Sequence, residues 1–351
     1  MRRFIIKQKT IAIRCITDNS KGFGHLSRCL SLGEQLKNNG HNIVFIINKN
    51  NSAIKEIHKR KFAYILIPKM ISHKQESNFI STLMYSRNYD AIIIDMREYS
   101  ENLTRQLSGN SFKTILLDDV WCNKVYADMI FNGTITKKFY KYKKINMKSK
   151  LFLGPDYFIA NKEFYKHKKN SNNIVDKKRY NIVVSMGGSD LGKLTYSVTK
   201  SIMDLTNINV KVIIGPFYRD LTKLLELIKN KKHVSIMYSP PKIWKQFQQA
   251  DVVIANAGST LFELAIQRVP TICIPAIKHQ ILYAKEFSTK GFALNLFMWK
   301  NSKTKIIQKT LIKILGDKTK RRKICSFGDK IVDGKGLSRT TRLITRLLDT
   351  V

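Results

Sequence analysis

Short runs of wholly apolar residues recur along this chain, separated by polar segments of helical periodicity, and that alternation limits the folds open to it. The first half carries Ile11–Ile16, Ile43–Ile47, Ala63–Ile67, Ala91–Ile94 and Thr114–Leu117. A second series opens at Asn181–Ser189 and continues through Val210–Ile214, Val234–Met237, Val252–Ala255, Thr271–Ile274 and Ala293–Leu296. Strands apolar on both faces must be covered on both faces, so the pattern predicts parallel sheets with helices on each side. The segment His25–Lys37, apolar at Leu26, Leu30 and Leu32 and followed by Gly40, fits one such helix and its C-cap. Two series in 351 residues predict two doubly wound α/β domains, at the usual ~100–200 residues each.

The expected division is a Rossmann-like domain over residues 1–165, a second over 178–328, and a closing helix in 329–351 that packs back toward the first. Two polar stretches, KKFYKYKKINMKSK ending at Lys150 and Lys166–Lys178, read as loops near the interdomain linker, on either side of Leu151–Tyr157. The first stretch, basic and interleaved with aromatics, would also suit phosphate pairing and base stacking. A solvated loop accounts for it more simply.

Lys and Arg number 63 against 25 Asp and Glu, a formal charge of +38, which favours anionic partners without choosing among nucleic acid, anionic lipid and phosphorylated metabolites. The lysines are spread along the chain instead of gathered in a stripe, which argues against specific nucleic-acid binding. The charge would still permit peripheral contact with an anionic membrane. Cys15, Cys29, Cys122, Cys273 and Cys325 are odd in number, far apart and without a CxxC pair, so they read as reduced thiols, with neither a disulfide framework nor a zinc site. Lys7, Lys9 and Arg14 interrupt any candidate signal core, and no apolar run approaches the roughly 18 residues of a membrane span. A cytoplasmic, monomeric protein is expected.

Three glycine-containing turns follow strands: Gly22-Phe-Gly24, Gly187-Gly188-Ser189 and Ala257-Gly258-Ser259. The first lacks the GxGxxG spacing, and no Walker lysine motif is present. The stretch from Asn256 to Gln280 is the most informative. A strand ends in a small polar turn, and Gly258, Ser259 and Thr260 open a helix whose unpaired N–H groups suit a phosphate. An ordinary Ser/Thr N-cap reads the same way. His25, directly after Gly24 at the start of a predicted helix, is placed to stay neutral and accept a proton, or else merely to cap that helix. Asp95, Asp118 and Asp119 fall at strand C-terminal ends, the edge where open α/β sheets place ligands.

The segments GFGHLSRCLSLGEQL, LLDD, NIVVSMGGSD, NAGSTLFELA, VPTICIP followed by Gln280, and DGKGLSR occur in that order between Ile11 and about Arg339. Together they resemble the PseG/SpsG family, UDP-sugar hydrolases of pseudaminic acid biosynthesis and their spore-coat relatives, which is similar to the MurG branch of GT-B glycosyltransferases. The resemblance implies a GT-B fold, two doubly wound Rossmann-like domains facing a cleft that holds a UDP-sugar. It places Gly22 and Gly24 at the substrate, and Gly187, Gly188, Ser189, Asn256, Gly258, Ser259 and Thr260 around the diphosphate. Glu263 would accept hydrogen bonds from the ribose hydroxyls. His279 and Gln280 would face the sugar or diphosphate, and His25 would match the catalytic base. The implied reaction is inverting attack of water on the anomeric carbon, with neither metal nor cofactor. Two departures lie where the sugar should sit. Some hydrolases of the family carry a Tyr where this chain reads Met96-Arg97-Glu98-Tyr99, and His279 stands where Asn is common. They leave open the sugar, and the choice between water and a sugar acceptor, which would make the protein an inverting glycosyltransferase.

Overall fold

The computed structural model describes residues 8–17, 24–69, 71–96, 101–109, 111–119, 124–144, 149–297 and 304–349. The described residues form two compact units, one built from 8–17, Gly24–Asn161 and the segment from Lys335 onward, the other from Lys162–Gly334.

The first unit runs β1 (Thr10–Cys15), α1 (Gly24–Asn38), β2 (Asn42–Ile47), α2 (Asn51–Lys59), β3 (Ala63–Leu66), α3 (His73–Ser86), β4 (Ala91–Asp95), α4 (Glu101–Leu107) and β5 (Lys113–Asp118). It continues through β6 (Lys124–Val125), β7 (Met129–Asn132), β8 (Lys143–Lys144) and β9 (Lys150–Leu153). Seven strands form one parallel sheet in the order β3-β2-β1-β4-β5-β7-β9, and β6 pairs with β8 beside it. Leu151–Leu153, between the two polar stretches read as loops, lie in β9 and pair with β7. Strands of four residues are too short to show a period, and among the described residues the only helical piece in the lysine-rich connection between these two is a three-residue 3-10 turn, Lys137–Phe139, with no α-helix to frame them.

The second unit runs α5 (Lys162–Lys166), β10 (Tyr180–Ser185), α6 (Thr195–Ile202), β11 (Ile208–Ile214), α7 (Leu221–Ile228), β12 (Val234–Tyr238), α8 (Ile243–Gln249) and β13 (Val252–Ala255). Then come α9 (Ser259–Gln267), β14 (Thr271–Cys273), α10 (Lys278–Thr289), β15 (Ala293–Asn295), α11 (Thr304–Leu315) and α12 (Lys318–Ile331). Its six strands are parallel in the order β12-β11-β10-β13-β14-β15. The last helix, α13 (Gly336–Leu348), belongs to the first unit, where it packs on α1. Its start also lies against the Phe158 backbone, which a Cβ at Gly336 would overlap.

Both sheets rest on strands with almost no exposed surface. Ile11, Ala12 and Ile13 of β1, Ala91–Ile94 of β4, and Val252–Ala255 of β13 are all at 0 % exposure. In each sheet the strand order reverses once, between β1 and β4 and between β10 and β13. A crevice opens at such a reversal beyond the carboxyl ends of the strands, because the flanking connections leave to opposite faces. Among the described residues no helix is long and apolar enough to cross a membrane.

Candidate functional site

At the β1/β4 reversal the two strands are in register, with Cys15 opposite Asp95. Asp95 ends β4 at 0 % exposure, and a buried carboxylate must find donors or lose its charge. Helix α1 supplies them from a single face, since His25, Arg28 and Cys29 are spaced by three and four residues. His25 Nδ1 lies 2.6 Å from Asp95 Oδ1, and Arg28 donates through Nη2 to the same oxygen at 2.5 Å and through Nε to Oδ2 at 2.6 Å. The Cys29 thiol donates to Oδ2 at 3.1 Å. Arg28 Nη1 reaches across to Asp119 Oδ1, just beyond β5, at 2.6 Å.

Burial alone would push the Asp95 carboxyl up, but the Arg28 guanidinium and the His25 ring more than reverse this and hold it far below the usual carboxylate range. The same opposition, led by Arg28, lowers Asp119. An ionised Asp95 is an acceptor only, so Nδ1 of His25 carries the proton that it shares with the carboxylate. The lone pair is left on Nε2, for which the described residues offer no partner. A ring oriented in this way can take a proton through Nε2, while Asp95 compensates the charge it acquires.

The sulfurs of Cys15 and Cys29 lie with an Asp95 oxygen inside 4.8 Å, a spacing a metal could bridge. Burial raises the Cys29 thiol well above its ordinary value, its proton is engaged by Asp95, and the carboxylate oxygens are already taken. Metals bind thiolates, so the trio is a hydrogen-bonded cluster.

At the β10/β13 reversal, Asn256 straps the two strand ends together. Its Nδ2 donates to the Met186 carbonyl at 2.9 Å, and its Oδ1 accepts from the Gly258 N–H at 3.4 Å. Gly187 has φ +89°, and a Cβ there would sit 2.9 Å from Asn256 Nδ2, so only glycine suits this turn. Gly188 lies against Gly215, where a Cβ would overlap the Gly188 backbone, so its smallness serves the approach of the turn after β11. Beyond Ser189, the buried Asp190 accepts from the N–H groups of Leu194 and Thr195, at 2.9 Å each. Its carboxylate fills the amino end of α6, so the Gly187–Ser189 turn does not present that helix end to a ligand.

The amino end of α9 differs. Gly258 precedes it without a side-chain cap; Ser259 is exposed, Thr260 is buried, and no hydrogen bond occupies either hydroxyl among the described residues. Gln280, 4 % exposed on α10, accepts from Ala276 N through Oε1 at 2.8 Å. That fixes its amide with Nε2 toward Gly258, where an added Cβ would lie 3.3 Å from it. Helix N–H groups, two hydroxyls and a side-chain amide thus gather at one mouth. Glu263, one turn along α9 and partly buried, has no cation or donor among the described residues, and burial pushes it up to about 7.

Of the residues singled out from the sequence, Gly187, Asn256, Gly258, Ser259, Thr260 and Gln280 therefore meet, with Glu263 a turn away. His25 anchors a separate cluster in the first unit and Gly24 is the first residue of its helix. His279 neighbours Gln280, but its ring packs edge-on against Tyr283, centroids 5.9 Å apart. Gly22, Arg97 and Tyr99 lie outside the described residues. Arg28 was missed, although an arginine one turn after the histidine in GHLSR was the available signal. A groove of about 330 Å³ lined by Asn181, Asn209, Lys211 and Gln246 lies toward the amino ends of β10 and β11, away from the edge that carries these turns.

Residues 181–333 match the glycosyltransferase family 28 C-terminal domain. The spore coat polysaccharide biosynthesis protein SpsG of Bacillus subtilis (strain 168) is 24 % identical over 337 residues, covering 94 % of this chain and 96 % of that protein. An uncharacterized protein of Methanocaldococcus jannaschii is 28 % identical over 274 residues, 75 % of this chain but 55 % of its own length. Among solved structures, MurG of Acinetobacter baumannii has the same fold, with a TM-score of 0.68 at 13 % identity over 97 % of this chain and 100 % of that one. The two parallel sheets, their single order reversals and the likeness to MurG agree on a GT-B fold, and over nearly its whole length the chain is similar to SpsG.

Proposed function

We propose that the protein is an enzyme acting on a nucleotide sugar, and specifically a hydrolase that releases UDP and a free 2,4-diacetamido-2,4,6-trideoxy sugar of the pseudaminic type. The observation that carries this reading is the His25–Asp95 pair, which leaves Nε2 as an oriented proton acceptor at the ligand edge of its sheet. Water gives a proton to Nε2 as its oxygen attacks the anomeric carbon. The bond from that carbon to the diphosphate oxygen breaks, its electron pair leaves with UDP, and the sugar is freed with inverted configuration. General-base assistance of this kind is worth about 10²–10⁴-fold.

The α9 mouth is the counterpart for the leaving group. Uncapped N–H groups, the Ser259 and Thr260 hydroxyls and the Gln280 amide are donors suited to a diphosphate, whose negative charge grows as the bond breaks. Glu263 offers two acceptor oxygens to the ribose diol. No metal is assigned a step.

The test is incubation of the purified protein with UDP-2,4-diacetamido-2,4,6-trideoxy-β-L-altrose, following UDP and sugar by NMR. UDP release without an acceptor is expected, and the first-formed anomer should be inverted. A second reading, an inverting glycosyltransferase with the same donor grip, is favoured by the family 28 match and the MurG-like fold. UDP appearing only after a sugar or lipid acceptor is added would establish that reading over hydrolysis.

A further inference from the structure

We propose that Asp119 is the residue through which the first unit recognises the sugar, its second carboxylate oxygen accepting a hydrogen bond from an amide N–H or hydroxyl of a ring substituent. The inference rests on the nucleotide-sugar reading above and adds to it a contact residue and the chemistry it selects.

Asp95 and Asp119 flank the same guanidinium but differ in what remains to them. Asp95 is at 0 % side-chain exposure, and its two oxygens receive four donors. Asp119 is 29 % exposed, and only its Oδ1 is engaged, by Arg28. Among the described residues nothing donates to the other oxygen. Arg28 keeps this carboxylate ionised, hence an acceptor only, and holds it in one orientation before any ligand arrives.

A second observation points to a ligand at the same place. His25 is 6 % exposed, yet its Nε2 finds no partner among the described residues. Arg28 joins this imidazole to Asp119, touching His25 Nδ1 with Nη2 at 3.2 Å and Asp119 with Nη1. The opening beside them, bounded by Arg28, Asp118, Asp119, Gly133 and Tyr157, has a volume of about 20 Å³. That is about the room of one water molecule, so it admits the tip of a substituent and not a sugar ring.

The sign of the charge fits the same assignment. Two carboxylates, Asp118 and Asp119, face one guanidinium, Arg28, around this opening, in a chain where basic residues outnumber acidic ones 63 to 25. An acidic lining repels phosphate and admits a neutral group rich in donors, which is what an amido sugar offers.

Calorimetry on His25→Asn, which cannot turn the substrate over, compares binding of UDP with that of UDP-2,4-diacetamido-2,4,6-trideoxy-β-L-altrose. Adding Asp119→Asn is expected to weaken the sugar nucleotide about tenfold and to leave UDP within twofold. Asp119→Glu, which can keep its ion pair with Arg28 but adds a methylene to a one-water opening, should show the same selective loss. Unchanged UDP affinity and an unchanged melting curve report that each variant is folded. A parallel loss for both ligands, or a loss for neither, overturns the assignment while the nucleotide-sugar reading stands. Failure of the unmutated protein to bind UDP would remove that reading, and this inference with it.

Discussion

Replacing Glu263 by Gln should make the second unit more stable at alkaline pH and leave it nearly unchanged at acid pH. The carboxyl lies one turn into α9 with no cation or donor among the described residues, and burial raises it from an ordinary 4.5 to about 7. Because the folded value is raised, this group's contribution is fully present below the unfolded value near 4.5 and is lost as the pH rises through about 7. At about 1.4 kcal/mol per pH unit, the ionised carboxylate costs the folded unit up to roughly 3 kcal/mol at pH 8.5. The positive end of α9 acts in the other direction, but by only about 0.3–1 kcal/mol and fading beyond the first turn, so roughly 2–3 kcal/mol should remain. Urea unfolding followed by circular dichroism at pH 4.5 and pH 8.5 measures it. Parallel pH dependences for the two proteins would refute the reasoning. A nucleotide whose ribose hydroxyls donate to Glu263 should restore its charge and release about half a proton at pH 7, read by calorimetry in buffers of different ionisation enthalpy.

Asp95→Asn should lower the turnover rate about 10²–10⁴-fold while changing the KM for the sugar nucleotide much less, since the change removes the acceptor that fixes the His25 tautomer. A thermal melt separates this from unfolding, because the same change deprives Arg28 of one of its carboxylates. Gly328→Ala, remote from both sites, should destabilise the second unit by about 1–3 kcal/mol in urea titrations, because its Cβ would meet the Ala265 carbonyl where α12 crosses α9. A neutral result there would mean that the two helices part at little cost.

The architecture was largely legible because burial on both faces of a parallel strand leaves a run of Ile, Val, Leu and Ala that survives any change of neighbours. Ala91–Ile94 and Val252–Ala255 announced themselves in this way, whereas Met129–Asn132, only four residues long and followed by a stretch with no α-helix among the described residues, did not. The α9 mouth was legible for a related reason. A strand, a small-residue turn and a helix start are contiguous in sequence, so Asn256, Gly258, Ser259 and Thr260 could be placed together without knowing the fold. The family resemblance also put the Gly187–Ser189 turn at the diphosphate; there Asp190, at φ +44°, accepts from the N–H groups of Leu194 and Thr195 at the amino end of α6, a contact that no local pattern announces.

His25 could be singled out from its position after Gly24, but what it does depends on Asp95, 70 residues away. The sequence by itself determined two doubly wound sheets and the small-residue turn that opens α9, because periodicity and turn chemistry are local. Only the tertiary structure decided that one guanidinium would hold Asp95 and Asp119 together beside an imidazole. Hydrogen bonds between strand ends depend on the order and register of the sheet, and neither is written in any single stretch of chain.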